Sequence, residues 1–370
     1  MNKKIAILTT IHPAYDARVF ERTILPLFDI GYDVEVIAPW KPHPYYSNSI
    51  KWTETSYPAN RIQRIFHGFK LFMLALKSQA CIIHFHDIDF ILWGLLIQIF
   101  SNKKLIYDCH ENYSEEILYG KPWIPSRFRI AISRIVNYIE IFCVKRFSFN
   151  IVVVQNQFEK FRKITNNIEL IRNLSIYLPK KFLNHEKNII YIGSVSVNYG
   201  GNTIIELARK IKTSKNTTKI ILFDKFDPEY KEKFLKIVKN ENLPVVINPR
   251  FTRDEISNVM SRGCVGLSFS EDTVNNNLGL PTKLFEYMSF GIPVVASDII
   301  RHQKILNISK SGVLVNHDDI NQVYDCVTEI IYNDLYRAEL QNNGYSAIEN
   351  EFNWLNEQQK LINVYHKLLK

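Results

Sequence analysis

LGLPTKLFEYMSFGIPVVASD, residues 278–298, reads as a turn, a short helix, a stop and a buried strand. Pro281 suits the first turn of a helix, and Gly291 with Pro293 suits its end. Leu284, Phe285 and Met288 form an apolar stripe, while Lys283 and Glu286, three residues apart, share the other face. A strand–helix–strand alternation of this kind is the signature of a parallel sheet wrapped by helices.

The same alternation runs outward in both directions. Apolar runs at 4–10, 33–39, 81–86, 104–110 and 150–155 predict one sheet. Runs at 188–194, 218–224, 245–248, 264–270 and 293–298 predict a second. Residues 172–188 carry Pro, Asn and Lys without periodicity, so the boundary is placed near 180. The expected organisation is residues 1–180, residues 181–352, and a terminal amphipathic helix at 353–370 crossing back to the first domain. The fold class is α/β, with two doubly wound domains; such domains bind ligands at the carboxyl ends of their strands.

A chain of 370 residues, 46% hydrophobic and 22% charged, is long enough for two buried cores and too apolar for wholesale disorder. Five separated cysteines without a CxxC argue against a disulfide framework or a zinc site, and fit a reduced, cytoplasmic compartment. The opening apolar run is too short for a signal peptide and reads as a first strand.

The net charge of +9 is unevenly placed: 24 basic against 15 acidic residues up to position 185, and 22 against 22 after it. Within the basic half, residues 61–77 and 126–147 alternate cations with apolar residues at near-helical spacing. That pattern suits either helices packed on a sheet or an interfacial helix on an anionic membrane surface. No segment is apolar for long enough to span a bilayer. No nucleic-acid-binding motif stands out, so nucleic acid is not an expected partner.

A helix N-terminus favours an anion such as a diphosphate, Lys283 adds a full positive charge, and Glu286 can accept from vicinal hydroxyls such as those of ribose. A plain surface ion pair at helical spacing is the competing reading. The segment resembles the donor-binding stretch of the family 4 retaining glycosyltransferases with the GT-B fold, also called glycosyl transferases group 1. That resemblance implies two Rossmann-like domains facing each other across a cleft, the first binding acceptor and the second binding nucleotide sugar. It places Gly279, Leu280, Pro281, Thr282, Lys283 and Glu286 at the donor, with Ser194 near the diphosphate; Glu271 or Asp272 could reach the sugar, and Arg250 could supply a further cation.

Residues 108–125, opening with DCHE, resemble the matching segment of a branch common in bacterial surface-polysaccharide enzymes, implying that His110 faces the donor sugar. The stretch at 9–37, a first strand, a loop and a helix ending before Gly31, resembles that branch's acceptor side, implying roles for His12, Asp16 and Arg18, with Glu111 as a further acceptor contact. Asp16 could equally cap the following helix with Arg18 paired to it. His110, Lys283 and Glu286 are the catalytic candidates, with no metal and no cofactor expected. HDID, 86–89, is a chance Asp-x-Asp at a position foreign to metal-dependent sugar transferases.

Two departures stand out. Leu278 occupies the place of the family's first glutamate, and Ser194 and Tyr199 stand where its diphosphate-binding cations belong. The resemblance implies sugar transfer from a nucleotide sugar to a lipid-linked or oligosaccharide acceptor at the inner face of the plasma membrane. The rival readings are a sugar-nucleotide epimerase of the same shape and a catalytically weakened binding subunit.

Overall fold

The computed structural model describes residues 4–12, 15–121, 123–179, 185–252 and 255–370. The chain divides into two compact units, residues 1–173 with 354–370, and residues 174–353. The division after Asn173 precedes the boundary placed near 180, and residues 180–184 lie outside the described residues.

In the first unit, β1 (Lys4–Leu8), β2 (Asp33–Ala38), β3 (Lys51–Glu54), β4 (Ile82–Phe85), β5 (Lys104–Cys109), β6 (Phe149–Val152) and β7 (Ile168–Leu170) form one sheet. Its order is β3-β2-β1-β4-β5-β6-β7 and every pairing is parallel. In the second unit, β8 (Ile189–Tyr191), β9 (Ile220–Phe223), β10 (Val245–Asn248), β11 (Val265–Ser268), β12 (Val294–Ser297) and β13 (Gly312–Val315) follow the order β10-β9-β8-β11-β12-β13, again all parallel.

The central strands are apolar on both faces because helices cover both. In the second unit, Ile189, Tyr191, Val265 and Leu267 enter one core cluster, while Ile190, Ile192, Val294 and Ala296 enter the other. That alternation is the two-residue period of a strand, and each fully buried aliphatic side chain contributes about 1.5–3 kcal/mol.

The strands absent from the sequence reading, β3, β7 and β13, all lie at sheet edges. Edge strands have one unpaired side, and here they are only three or four residues long. Lys51–Glu54 has no buried residue, so it carries no apolar run to read.

Helix Trp354–Leu369 belongs to the first unit. Its Glu357, fully buried, accepts from the backbone and guanidinium of Arg172 at 2.8–3.0 Å and pairs with Lys360 at 3.0 Å. One turn from its end, the Tyr365 hydroxyl meets His84 Nδ1 at 2.7 Å.

Candidate functional site

Each sheet reverses its strand order at one place, between β1 and β4 in the first unit and between β8 and β11 in the second. Loops on either side of such a switch point diverge and leave room for a ligand. The predicted site residues fall around these two places.

In the second unit, helix Thr282–Ser289 is fixed to the sheet by Tyr287. Its hydroxyl accepts from Ile192 N at 2.9 Å and lies 3.2 Å from Ile190 O and 3.3 Å from Leu267 O, bridging β8 and β11. Position 266 must be glycine for this, since a Cβ there would stand 2.8 Å from the Tyr287 ring. Pro281 precedes the helix and supplies no side-chain cap.

Lys283, in the first turn, is half-buried. Its ammonium lies 3.3 Å from the Tyr191 hydroxyl, 4.3 Å from the centre of the Tyr191 ring and 6.0 Å from that of Tyr199. It also lies 3.3 Å from where a Cβ on Gly193 would stand, and Gly193 has φ +139°, a conformation other residues rarely adopt. Burial, then Arg301 and Lys225, lower the Lys283 pKa to about 7, with Glu286 opposing them least. A lysine so placed is poised to gain its proton when an anion arrives.

Arg301 was missed in the sequence. It opens helix Ile300–Ser309, donates to the Ser270 Oγ and has its Nε buried without a hydrogen-bond partner. Its Nη1 lies 4.0 Å from the Cβ position of Gly279. Eighteen positions separate it from Lys283 in sequence, and no motif links them. Only the pairing of β11 with β12 brings the turn after β12 to Ser270.

The other expected donor contacts take these places. Leu280 packs against the core, Thr282 is exposed and Glu286 is half-buried one turn below Lys283. The carbonyl of Ser194 accepts from Tyr191 at 2.9 Å. Glu271 ties its backbone N–H to Asn198 O at 3.0 Å and sets its carboxylate 3.6 Å from His317. Arg250 follows the edge strand β10 and donates to Asp224 O at 2.6 Å, so the cations acting on Lys283 are Arg301 and Lys225 instead.

In the first unit, polar side chains alternate along β4 and β5 and the residues just beyond them, putting His84, His86, Asp108 and His110 on one side. This period-two signal was legible in HFH and DCH and went unread. Asp108, fully buried, takes Arg18 Nε and Nη2 at 3.0 Å each. His110 Nε2 lies 3.4 Å from Asp108 and 3.0 Å from His86 Nδ1. Burial would raise the Asp108 carboxyl, but Arg18 and then His110 outweigh it and hold it well below the usual carboxylate range. Burial and the neighbouring His84 keep His86 neutral, far below its ordinary pKa.

Arg18 is thereby removed from the acceptor contacts: it is 4% exposed and also bonds Ile171 O and Asn173. Nor is it paired with Asp16. Asp16 caps the π-wound helix Ala17–Ile24 through the N–H groups of Arg18 and Val19. His12 stands 3.5 Å from Asp87 and its ring 5.1 Å from that of His110. Asp87, from HDID, accepts from Thr9 and from the Thr10 N–H, joining β4 to β1.

The ligand atoms of His84, His86 and Asp108 lie within 4.8 Å of one another, a spacing that could hold a metal. Arg18 meets both Asp108 oxygens and Tyr365 meets His84 Nδ1, while the Nε2 atoms of His84 and His86 are buried without a hydrogen-bond partner. Glu111 follows His110; burial and then Glu116 raise its pKa to about 7.

Residues 178–347 match the family model described as glycosyl transferases group 1. A curated relative, the chitobiosyldiphosphodolichol beta-mannosyltransferase of Candida albicans, is 21% identical over 227 residues, which are 58% of this chain and 49% of that protein. The chain thus spans about half the length of that relative. Among solved structures, sucrose-phosphate synthase from Thermosynechococcus elongatus aligns over 99% of both chains with a TM-score of 0.72 at 15% identity. Anabaena HepE in complex with UDP-glucose aligns over 98% of this chain and 99% of its own, with a TM-score of 0.71 at 13% identity. At such identities the structural likeness is one of fold. Residues 178–347 thus match the glycosyl transferases group 1 model, and over its length the chain has the GT-B fold of solved glycosyltransferases.

Proposed function

We propose that this protein transfers a sugar, with retention, from a nucleoside diphosphate donor to a lipid-linked glycan in the assembly of a bacterial surface polysaccharide. The observation that carries the reading is the placing of Lys283 in the first turn of a helix beside the β8–β11 switch point, with Arg301 on Ser270 just beyond β11 and Lys225 held by its carbonyl on Val195 just beyond β8. Cations crowded together and partly withdrawn from water repel one another until an anion joins them. A diphosphate supplies that anion, and the helix N-terminus adds to its field.

In this mechanism the bond between the sugar's anomeric carbon and the leaving phosphate oxygen breaks, and its electron pair becomes charge on the diphosphate. Lys283 and the helix N-terminus stabilise that charge as it grows. Glu286 holds the ribose hydroxyls and His110 orients the sugar, its ring steadied by Asp108 and His86. The acceptor hydroxyl forms the new bond on the same face and passes its proton to the departing phosphate. Residues 1–180 carry the acceptor contacts His12 and Glu111, and residues 181–352 carry the donor contacts Glu271, Ser194 and Gly279 to Glu286.

Attachment to an anionic membrane surface is part of the proposal, placing the protein at the inner face of the plasma membrane. Helix Arg61–Lys77 exposes Ile65, Phe66 and Phe69 beside Arg64 and Lys70, and helix Ser126–Val144 exposes Phe128, Ile135 and Tyr138 beside Arg127 and Arg134. Among the described residues no helix is long and apolar enough to cross a membrane.

UDP titration and single-turnover transfer from UDP-sugars test the site assignment. Glu286→Gln is expected to weaken UDP binding by about tenfold or more, the worth of a charge-assisted hydrogen bond. Lys283→Met is expected to depress turnover beyond its effect on binding. Parent-like behaviour of both variants overturns the assignment. Release of UDP only when acceptor is added excludes both the epimerase and the binding-subunit readings.

A further inference from the structure

The two faces of the sheet differ where β4 meets β5. On one, Phe85 and Tyr107 stack at 5.2 Å and enter the apolar core. On the other, where a sheet covered by helices calls for more aliphatic side chains, stand His84, His86 and Asp108, all fully buried. Phe85 pairs with Tyr107, so one step further along His86 lies beside Asp108.

Hydrogen bonds use only half of the two imidazoles. His84 Nδ1 meets the Tyr365 hydroxyl at 2.7 Å, and His86 Nδ1 meets His110 Nε2 at 3.0 Å. The rings stack with their centroids 4.6 Å apart, and both Nε2 atoms are buried without a hydrogen-bond partner. An unsatisfied buried polar atom costs about 1–3 kcal/mol, so two on adjoining rings weigh heavily against the fold unless something joins them.

The separations suit a coordination shell. His84 Nε2 stands 3.4 Å from Asp108 Oδ2, and one ligand atom from each of His84, His86 and Asp108 lies within 4.8 Å of the other two. Zinc bonds of about 2.0–2.1 Å at tetrahedral angles set ligand atoms about 3.3–3.4 Å apart, so an ion would draw the widest separation in by up to about 1.5 Å. Arg18 donates one N–H to each Asp108 oxygen, and each oxygen has a second lone pair to give.

We propose that His84 Nε2, His86 Nε2 and an Asp108 oxygen bind one divalent transition-metal ion of the zinc class. Tyr365 and His110 then form the outer shell that ligating histidines need: each engages an Nδ1 and leaves the Nε2 to the ion. Two imidazoles select against magnesium and calcium, which take oxygen shells. The ion ties β4 to β5 and, through Tyr365, to the terminal helix. No step of sugar transfer passes through it, and the site stands whether or not the glycosyl-transfer reading does.

The test uses the full chain stripped with EDTA, and Zn²⁺ and Co²⁺ alone as probes. Co²⁺ is expected to bind once per chain and to give the visible absorption of a low-symmetry nitrogen–oxygen shell. Zn²⁺ should displace it, and a large excess of Mg²⁺ should not. His84→Gln and His86→Gln each remove a ligand and should weaken Zn²⁺ by at least about tenfold; Tyr365→Phe, which touches no ion, should weaken it by about tenfold. Melting of the stripped variants reports their folding. X-ray absorption of the zinc-loaded parent needs no variant: two imidazoles in the shell are expected, and fewer than two, or a cysteine sulfur, overturns the site. The chain has ten histidines, so Zn²⁺ affinity that persists in both glutamine variants is adventitious binding elsewhere and overturns it too. A stripped parent that takes up no Zn²⁺ overturns it outright, and leaves the two Nε2 atoms to buried water.

Discussion

Arg18 and Lys283 are both cations drawn out of water near the switch point of a sheet, and their surroundings are opposite. Arg18 meets the Asp108 carboxylate with two donors and is 4% exposed. The groups acting most on Lys283, after burial, are two further cations. A buried charge with its counter-ion in place belongs to the architecture, because the pair already satisfies itself. A buried charge crowded by its own sign is held ready for a counter-ion from outside. The difference separates a residue that shapes the site from one that binds.

The largest expected effect breaks the pair on the architectural side. Asp108→Asn leaves the Arg18 guanidinium buried without its anion, and should cost about 3–5 kcal/mol in urea unfolding. Lys283→Met removes a desolvated cation and should leave unfolding within about 1 kcal/mol of the parent, or raise it. Equal losses in the two variants would erase the distinction.

A smaller effect concerns protons. Lys283 has a pKa near 7 before ligand arrives, and a bound diphosphate raises it. Below about pH 7 the lysine is already charged and UDP affinity is flat in this respect. Above it, binding must first load a proton, so affinity falls as pH rises from 7 to 9, by at most about tenfold per unit. Calorimetry in buffers of different ionisation heat should record proton uptake in that range. Lys283→Met should abolish both the slope and the uptake.

The smallest effect concerns Glu111, a carboxyl whose folded pKa of about 7 stands above its unfolded value of 4.5. A raised acid contributes stability below its unfolded pKa and loses that contribution as pH climbs through the folded one. The parent should therefore lose stability between about pH 4.5 and 7 by an amount that Glu111→Gln does not lose. Parallel melting temperatures of parent and variant across that window would remove Glu111 from the set of strained charges.

The sequence alone determined the two sheets and most of their strands, because a strand covered on both faces must be apolar throughout and announces itself as a run. It determined the helix at 282–289 and the place of Lys283 and Glu286 on it, because helical spacing is local. Three of the four edge strands, β3, β7 and β13, were illegible, since pairing on one side demands little of their side chains. Arg18 was misread for a different reason: its partner Asp108 lies ninety residues away, and a buried pair leaves no local mark. Arg301 was invisible because its nearness to Lys283 depends on strand order, which brings the turn after β12 to the end of β11. Period and propensity act between neighbours along the chain, whereas counter-ions are chosen among neighbours in space, and only the folded sheet decides who those are.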